Sequence, residues 1–260
     1  MTHYTVLIIV PPEDGEPIPK GELDAYVEQM LAPYDEELSV APYVALTRKQ
    51  AYADRRARIK ELREILKEKN TEHYDLKAVS RNLKRLEREK PTEYWESKRS
   101  GWDKHNEKGE PLTTYNPDSK WDWYEIGGRW KGQLLTKDGK SADIALVSDI
   151  DFDGMRKQSS KEAEETWERA QKDKDPAKDY FLFGVEKGDT KERFIARSSS
   201  WDTHAVITPD GVWHERAKMG WWAVTYDETE DSTTWSSKFY DRFLKNLDPN
   251  TTLVLVDCHI

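Results

Sequence analysis

The sequence predicts an α+β fold with a mainly antiparallel, ferredoxin-like sheet of the split βαβ kind, carrying a charged helical-hairpin insertion. Three observations lead there. Apolar, β-branched runs stand at both ends of the chain, Tyr4–Val10 and Thr252–Cys258. Each run has an amphipathic helical pattern as its neighbour. Between them, residues 46–100 show two charged helical stripes and no strand character. The division that follows is an α+β body over 1–45 and 101–260 with a helical insertion over 46–100.

The first run ends at Pro11-Pro12, because proline cannot donate to a sheet ladder. Leu23, Tyr26, Val27, Met30 and Leu31 follow at i, i+3, i+4, i+7, i+8, one face of a helix over 22–32 that Pro33 stops. Thr47 is a candidate N-cap for a helix over 47–68, with a stripe of Ile59, Leu62, Ile65 and Leu66. A second stripe, Leu76, Val79, Leu83 and Leu86, marks a helix over 75–89 ended by Pro91. The short connection at Asn70-Thr71 makes the pair an antiparallel hairpin. Residues 101–120 read as loop, 142–147 as a strand and 160–171 as a polar helix. Residues 180–186, 192–197 and 203–208 read as short strands. Pro209-Asp210-Gly211 is a turn that pairs 203–208 with 212–215. A further strand is expected over 220–226. A helix over 234–246 carries Trp235, Phe239, Phe243 and Leu247 on one face.

Hydrophobic residues make up 36% of the 260 and charged residues 35%, so the core must draw on the eleven Trp, twelve Tyr and six Phe. Cys258 is the single cysteine, which excludes a disulfide framework and a multi-cysteine zinc site. The amino-terminal apolar run is far shorter than the roughly 20 residues of a membrane span and has no basic leader. The expectation is a cytoplasmic protein with no membrane partner. Net charge is −9, unevenly spread: residues 46–100 hold 17 Lys and Arg against 10 Asp and Glu, a surplus of seven. A solvated helix pair is the simpler reading of this basic arm, and nucleic-acid binding through 46–100 is the other.

Chemistry concentrates in Trp121-Asp-Trp-Tyr-Glu-Ile-Gly-Gly-Arg-Trp130. Strand alternation puts Trp121, Trp123 and Glu125 on one side, with Asp122 and Tyr124 on the other. Gly127-Gly128 removes two side chains and lets a backbone or ligand approach. Arg129 offers a planar fork for phosphate or carboxylate, and Trp130 closes the segment. The candidate ligand-binding set is therefore Trp121, Trp123, Tyr124, Glu125, Gly127, Gly128, Arg129 and Trp130, suited to a nucleobase and its phosphate. The alternative is a packed strand with Arg129 ion-paired to Glu125 or Asp122. Phosphate-loop glycine patterns are absent.

A second candidate is Asp257-Cys258-His259. Asp257 and His259 share a strand face and Cys258 opposes them, so a Cys-His dyad is not formed. His204 and His214 are possible further partners, near the aromatic stretches Trp201–Ala205, Trp213–Glu215 and Met219–Trp222. Asp149, Asp151, Asp153 and Gly154 evoke a calcium loop, but Ser160 stands where its glutamate belongs. No metal and no cofactor is expected.

Three signatures, Tyr115–Trp130, the pair Gly211-Val-Trp213 and Met219–Trp222, and Val256–Ile260, together resemble a recurrent group of uncharacterised bacteriophage and mobile-element proteins. Ala41-Pro-Tyr-Val44 before the helical arm is similar too. The resemblance covers most of the chain and implies a phage accessory role such as counter-defence. It assigns no residue a task. Two functions are therefore carried forward. One is a binding protein that sequesters a nucleotide-like ligand or engages a host protein. The other is an enzyme, a phosphodiester or nucleotide hydrolase. There Glu125 or Asp122 would be the base, His259 or His204 the acid, and Arg129 the anion stabiliser.

Overall fold

The computed structural model describes residues 2–67, 75–172, 184–185, 188–219, 225–226 and 232–260. Two compact units result, Met1–Leu38 with Pro117–Ile260, and Ser39–Asn116. The elements used below are strands β1 (His3–Val10), β2 (Trp123–Ile126), β3 (Ile144–Leu146), β4 (Ala205–Ile207), β5 (Trp213–Glu215) and β6 (Thr252–His259). The helices are α1 (Lys20–Leu31), α2 (Arg48–Lys67), α3 (Leu76–Arg88), α4 (Pro91–Arg99), α5 (Phe152–Lys172), α6 (Lys191–Ser198) and α7 (Ser232–Phe239).

The larger unit is α+β with a mixed, mostly antiparallel sheet. β1 and β6 pair antiparallel over eight residues, from His3 opposite His259 to Val10 opposite Thr252. On its other side β1 runs parallel to β4, and β4 continues into β5 through a hairpin. β6 is shared along its outer edge, with β3 against its first half and β2 against its second. The antiparallel pairing of the first and last strands matches a split βαβ sheet, but the parallel neighbour of β1 does not. A split unit holds an antiparallel strand between its two parallel strands. Here the inner strand of the hairpin comes first in the chain, so β1 pairs directly with its parallel partner and the ferredoxin-like strand order is not formed.

Period-two alternation divides the core between two faces. Tyr4, Val6, Ile8, Val254, Val256 and Cys258 face Leu23, Val27, Met30 and Leu31 of α1. Leu7, Ile9, Val206 and Leu253 face Trp235 and Phe239 of α7 and Phe243 and Leu244 just beyond it. With both faces covered from Val6 to Val10, that stretch of β1 has no polar side, which is why its sequence reads as a continuous apolar run. Beyond α7 the chain widens into a π-helical turn over Tyr240–Leu244. Trp235, Phe239 and Phe243 stack there at 5.3–5.8 Å between ring centroids.

Three further sequence expectations change. Residues 192–197 are not a strand: Thr190 accepts a hydrogen bond from Arg193 N–H and caps α6. Phe194 is buried there against Trp167 of α5. The polar helix begins earlier, at Phe152, because Asp151 accepts from Gly154 N–H as an N-cap. Of the aspartate run, Asp151 supplies this cap and Asp153 pairs with Arg156. The strand over 142–147 breaks at Asp143 into Ser141–Ala142 and β3. Most of the strand expected over 180–186 lies outside the described residues. Of 220–226, only Thr225–Tyr226 is described, as a strand paired with Lys218–Met219.

The second unit is helical. Thr47 and Gln50 bond reciprocally, Gln50 N–H to Thr47 Oγ1 and Thr47 N–H to Gln50 Oε1, so Thr47 does cap α2. Asp75 caps α3 through Lys77 and Ala78 N–H. Pro91 does more than end α3. It opens α4 at a first-turn position, where its missing N–H costs nothing. Tyr94 and Trp95 of α4 complete a small core with Ala51, Leu62, Val79 and Leu86. No described helix is long and apolar enough to cross a membrane.

Leu7 is fully buried at the centre of the sheet. Leu7→Ala should lower unfolding free energy by about 2–5 kcal/mol in urea denaturation, the range for a leucine cavity that cannot collapse.

Candidate functional site

The Trp121–Trp130 segment is the outer partner of β6. β2 sets Trp123 opposite His259 and Glu125 opposite Asp257. Alternation therefore places Trp123, Glu125, Asp257 and His259 on one face, and Tyr124, Ile126 and Cys258 on the α1 side. Trp121 departs from the expected pattern. It precedes the ladder at a bend and turns to the α1 side, where its indole N–H donates to Leu31 O at 3.0 Å. Its ring meets Tyr124 edge-on at 5.1 Å. The expected aromatic platform thus separates into a core part, Trp121 with half-buried Tyr124, and a single exposed ring, Trp123, at 48%. Trp130 is half-buried in the turn that follows.

The glycine pair has a specific use. Gly127 and Gly128 both take positive φ, +75° and +48°. A Cβ on Gly127 would lie 2.5 Å from the Asp143 carboxylate carbon, and one on Gly128 would overlap Asp257. The space the glycines leave is filled by these two carboxylates. Asp257 Oδ2 accepts Arg129 N–H at 3.0 Å, and Asp143 Oδ1 accepts Gly132 N–H at 2.5 Å.

Asp257 is only 1% exposed, so its charge must be met inside the protein. Besides the Arg129 amide, His3 Nδ1 lies 2.9 Å from Asp257 Oδ1. His259 makes a parallel couple, its Nδ1 2.5 Å from Asp122 Oδ1. The two imidazoles stand 4.9 Å apart, edge to face, and Trp123 lies 6.1 Å from His3. Each Nδ1 faces a carboxylate, which orients each Nε2 away from it. His259 Nε2 is buried and has no hydrogen-bond partner among the described residues.

His3 is the residue sequence reasoning missed. Its signal was its place at the start of a strand whose partner ends in Asp257-Cys-His259. His204 does not join this cluster. It packs edge-on against Tyr4 at 5.2 Å, and burial, with Arg216 nearby, pushes its pKa down to about 4. Cys258 is fully buried, and burial followed by the Asp257 charge raises its thiol pKa well above the ordinary range, so it is no nucleophile. Glu125 and Arg129 are exposed, and the ion pair between them does not form among the described residues.

A cleft of about 760 Å³ opens beside the same segment, lined by Tyr34, Lys120, Trp213, His214, Trp235 and Arg242 among others. Tyr34 hydroxyl donates to Gly211 O at 2.7 Å and accepts Trp213 N–H at 2.9 Å, tying the hairpin turn to the chain after α1. The Tyr34 and Trp213 rings lie 5.0 Å apart. Glu215 holds Lys120 at 2.7 Å and the Trp213 indole N–H at 3.0 Å. Arg242 lies over Phe243 at 4.8 Å and Trp235 at 5.7 Å. His214, between burial and Arg242, has its pKa lowered. Trp213–Glu215 stood out in the sequence, but Tyr34, Lys120 and Arg242 carried no local signal linking them to it.

Among the described residues no group of three or more His, Cys, Asp or Glu is arranged to hold a metal ion. Comparison with protein-family models, curated proteins and solved structures finds no match. The site must therefore be read from its own chemistry.

Gly128→Ala should cost about 2 kcal/mol or more, since it adds a strained φ to a clash with a buried carboxylate. The urea midpoint reports it. Gly139→Ala, at φ +79° but with open space at its Cβ, should cost less.

Proposed function

We propose that this chain is a binding protein that sequesters a nucleotide-like ligand in the Tyr34–Trp213 cleft. One observation carries the reading: aromatic rings and cationic side chains line a single cleft of about 760 Å³, within the size range of small-molecule sites. A base stacked on an exposed aromatic gains about 1–3 kcal/mol. Lys120 is already positioned by Glu215, and an incoming phosphate takes over part of that pairing. The resemblance of the Tyr115–Trp130 and Val256–Ile260 motifs to phage proteins supports an accessory, counter-defence setting for such sequestration. The lining residues Asp118 and Lys120 immediately precede Trp121–Trp130, and that segment contributes no ring to the cleft wall.

Titration calorimetry against mono-, di- and cyclic nucleotides tests this. Binding by the unaltered chain should weaken about 10-fold or more in Trp213→Ala and in Lys120→Gln, a loss of roughly 1.4 kcal/mol or more. Absence of heat with every nucleotide at millimolar concentration would sink the reading.

The Asp-oriented imidazole pair favours a second reading, a phosphodiester or nucleotide hydrolase. His3, as a neutral imidazole, takes a proton from water as the water oxygen bonds to phosphorus. The P–O bond to the leaving group breaks, and the leaving oxygen keeps the electron pair and takes a proton from solvent water. His259, whose Nε2 is buried, acts by positioning the cluster through Asp122 rather than by meeting the substrate. Arg129, exposed on the adjoining turn, meets the phosphate charge. Nucleotide turnover followed by chromatography should then fall by about 100-fold or more in His3→Ala and His259→Ala. An intact nucleotide panel after prolonged incubation removes this reading.

A further inference from the structure

We propose that α3 presents a phosphate-reading ridge, an interaction surface for the backbone of double-stranded nucleic acid that is separate from the ligand cleft. Lys77, Arg81, Lys84 and Arg88 are all exposed. Their spacing of four, three and four residues places them on one face of the helix. At 1.5 Å per residue the ridge is about 16 Å long. The opposite face, with Val79 and Leu86 buried and Leu83 packed beside them, is turned into the helical core. The ridge is thus fixed in orientation by packing on its far side.

Basic helices are commonly neutralised along their own surface, and α2 illustrates it. Arg58 pairs with Glu61, Lys67 with Glu64, and Arg63 reaches across to Glu87 of α3. The α3 ridge differs because the carboxylates around it are committed elsewhere. Asp75 accepts the Lys77 and Ala78 amides as the N-cap. Glu87 is held by Arg63 at 2.7 Å, and Glu89 by Arg85 at 3.3 Å. Among the described residues none of the four ridge cations has an ion-pair partner. Four aligned cations without an ion-pair partner among the described residues suit a regularly spaced polyanion, whose condensed counterions they release on binding.

The chemistry favours nucleic acid over a lipid surface. A helix lying on a bilayer must expose an apolar face beside its charges. In α3 that face is inside the unit, and the ridge itself is flanked by Ser80, Arg85 and Glu87 rather than by exposed aromatics. Contacts of this kind read the backbone and not the bases, so binding should be independent of sequence.

Fluorescence anisotropy of the full chain with a labelled duplex of about 24 base pairs, from about 50 to about 200 mM salt, tests the ridge. Four phosphate contacts predict a slope of log affinity against log salt near about −3.6. The combined variant Lys77→Gln, Arg81→Gln, Lys84→Gln and Arg88→Gln should lose about 100-fold or more at the lowest salt and flatten the slope, while its helical circular dichroism stays unchanged. Arg58→Gln with Lys67→Gln, which removes cations already paired, should change affinity by less than about threefold. The proposal is overturned if the four-fold variant binds duplex like the unaltered chain. It is equally overturned if the unaltered chain shows no salt-dependent duplex binding, or if it binds phosphatidylserine vesicles in place of duplex.

Discussion

The antiparallel pairing of β1 with β6 is the constraint on which the larger unit rests. It joins the first and last strands of the sheet over eight residues in one register, His3 to His259 through Val10 to Thr252. A slip of one residue would carry every side chain of one strand to the other face. The register is held because both faces are buried: Val6 to Val10 and Leu253 to Val256 are each at most 1% exposed. Once it is set, α1 covers one face, α7 covers the other, and β2 and β3 have a common edge to add to.

The same pairing creates the polar cluster. Apolar residues fill the strands up to Thr5 and Val256, and then His3, Asp257 and His259 arrive together at one end. A buried carboxylate is tolerated there because its two oxygens have separate donors, the Arg129 amide and the His3 ring. The Gly127-Gly128 turn is shaped by that carboxylate and by Asp143, with no room left for a side chain on either glycine. What reads locally as a ligand-accommodating glycine pair is the imprint of the protein's own acids.

The helical unit solves a different problem. Its core is small, built around Trp95 and a few aliphatics, and its surface carries a large excess of cations. α2 distributes that charge into neighbouring ion pairs, whereas α3 aligns four cations and spends its nearby acids on capping and on α2. Helix packing decides which face remains exposed, so the charge alignment is a consequence of where Val79 and Leu86 are buried.

Sequence alone determined the elements whose physics is local. The apolar runs of β1 and β6, the stripe of α1, the Thr47 cap and the turn at Pro209-Asp210-Gly211 follow from periodicity, capping and backbone restriction within a few residues. The α+β class and the opposition of Cys258 to Asp257 and His259 followed as well. Tertiary structure decided whatever depends on partners distant in the chain. Trp121 and Trp123 look alike in sequence, yet one lies in the core and the other in solvent, because the ladder to β6 begins at Trp123 and Leu31 O offers the Trp121 indole a buried acceptor. His3 becomes a member of the cluster only through a strand 254 residues away. Tyr34, Lys120, Trp213 and Arg242 converge on one cleft through four separate segments. Residues 192–197 hold enough apolar character for a strand, but the Thr190 cap and the burial of Phe194 against Trp167 turned them into a helix. Periodicity records which side of an element is apolar, and only the fold supplies what that side meets.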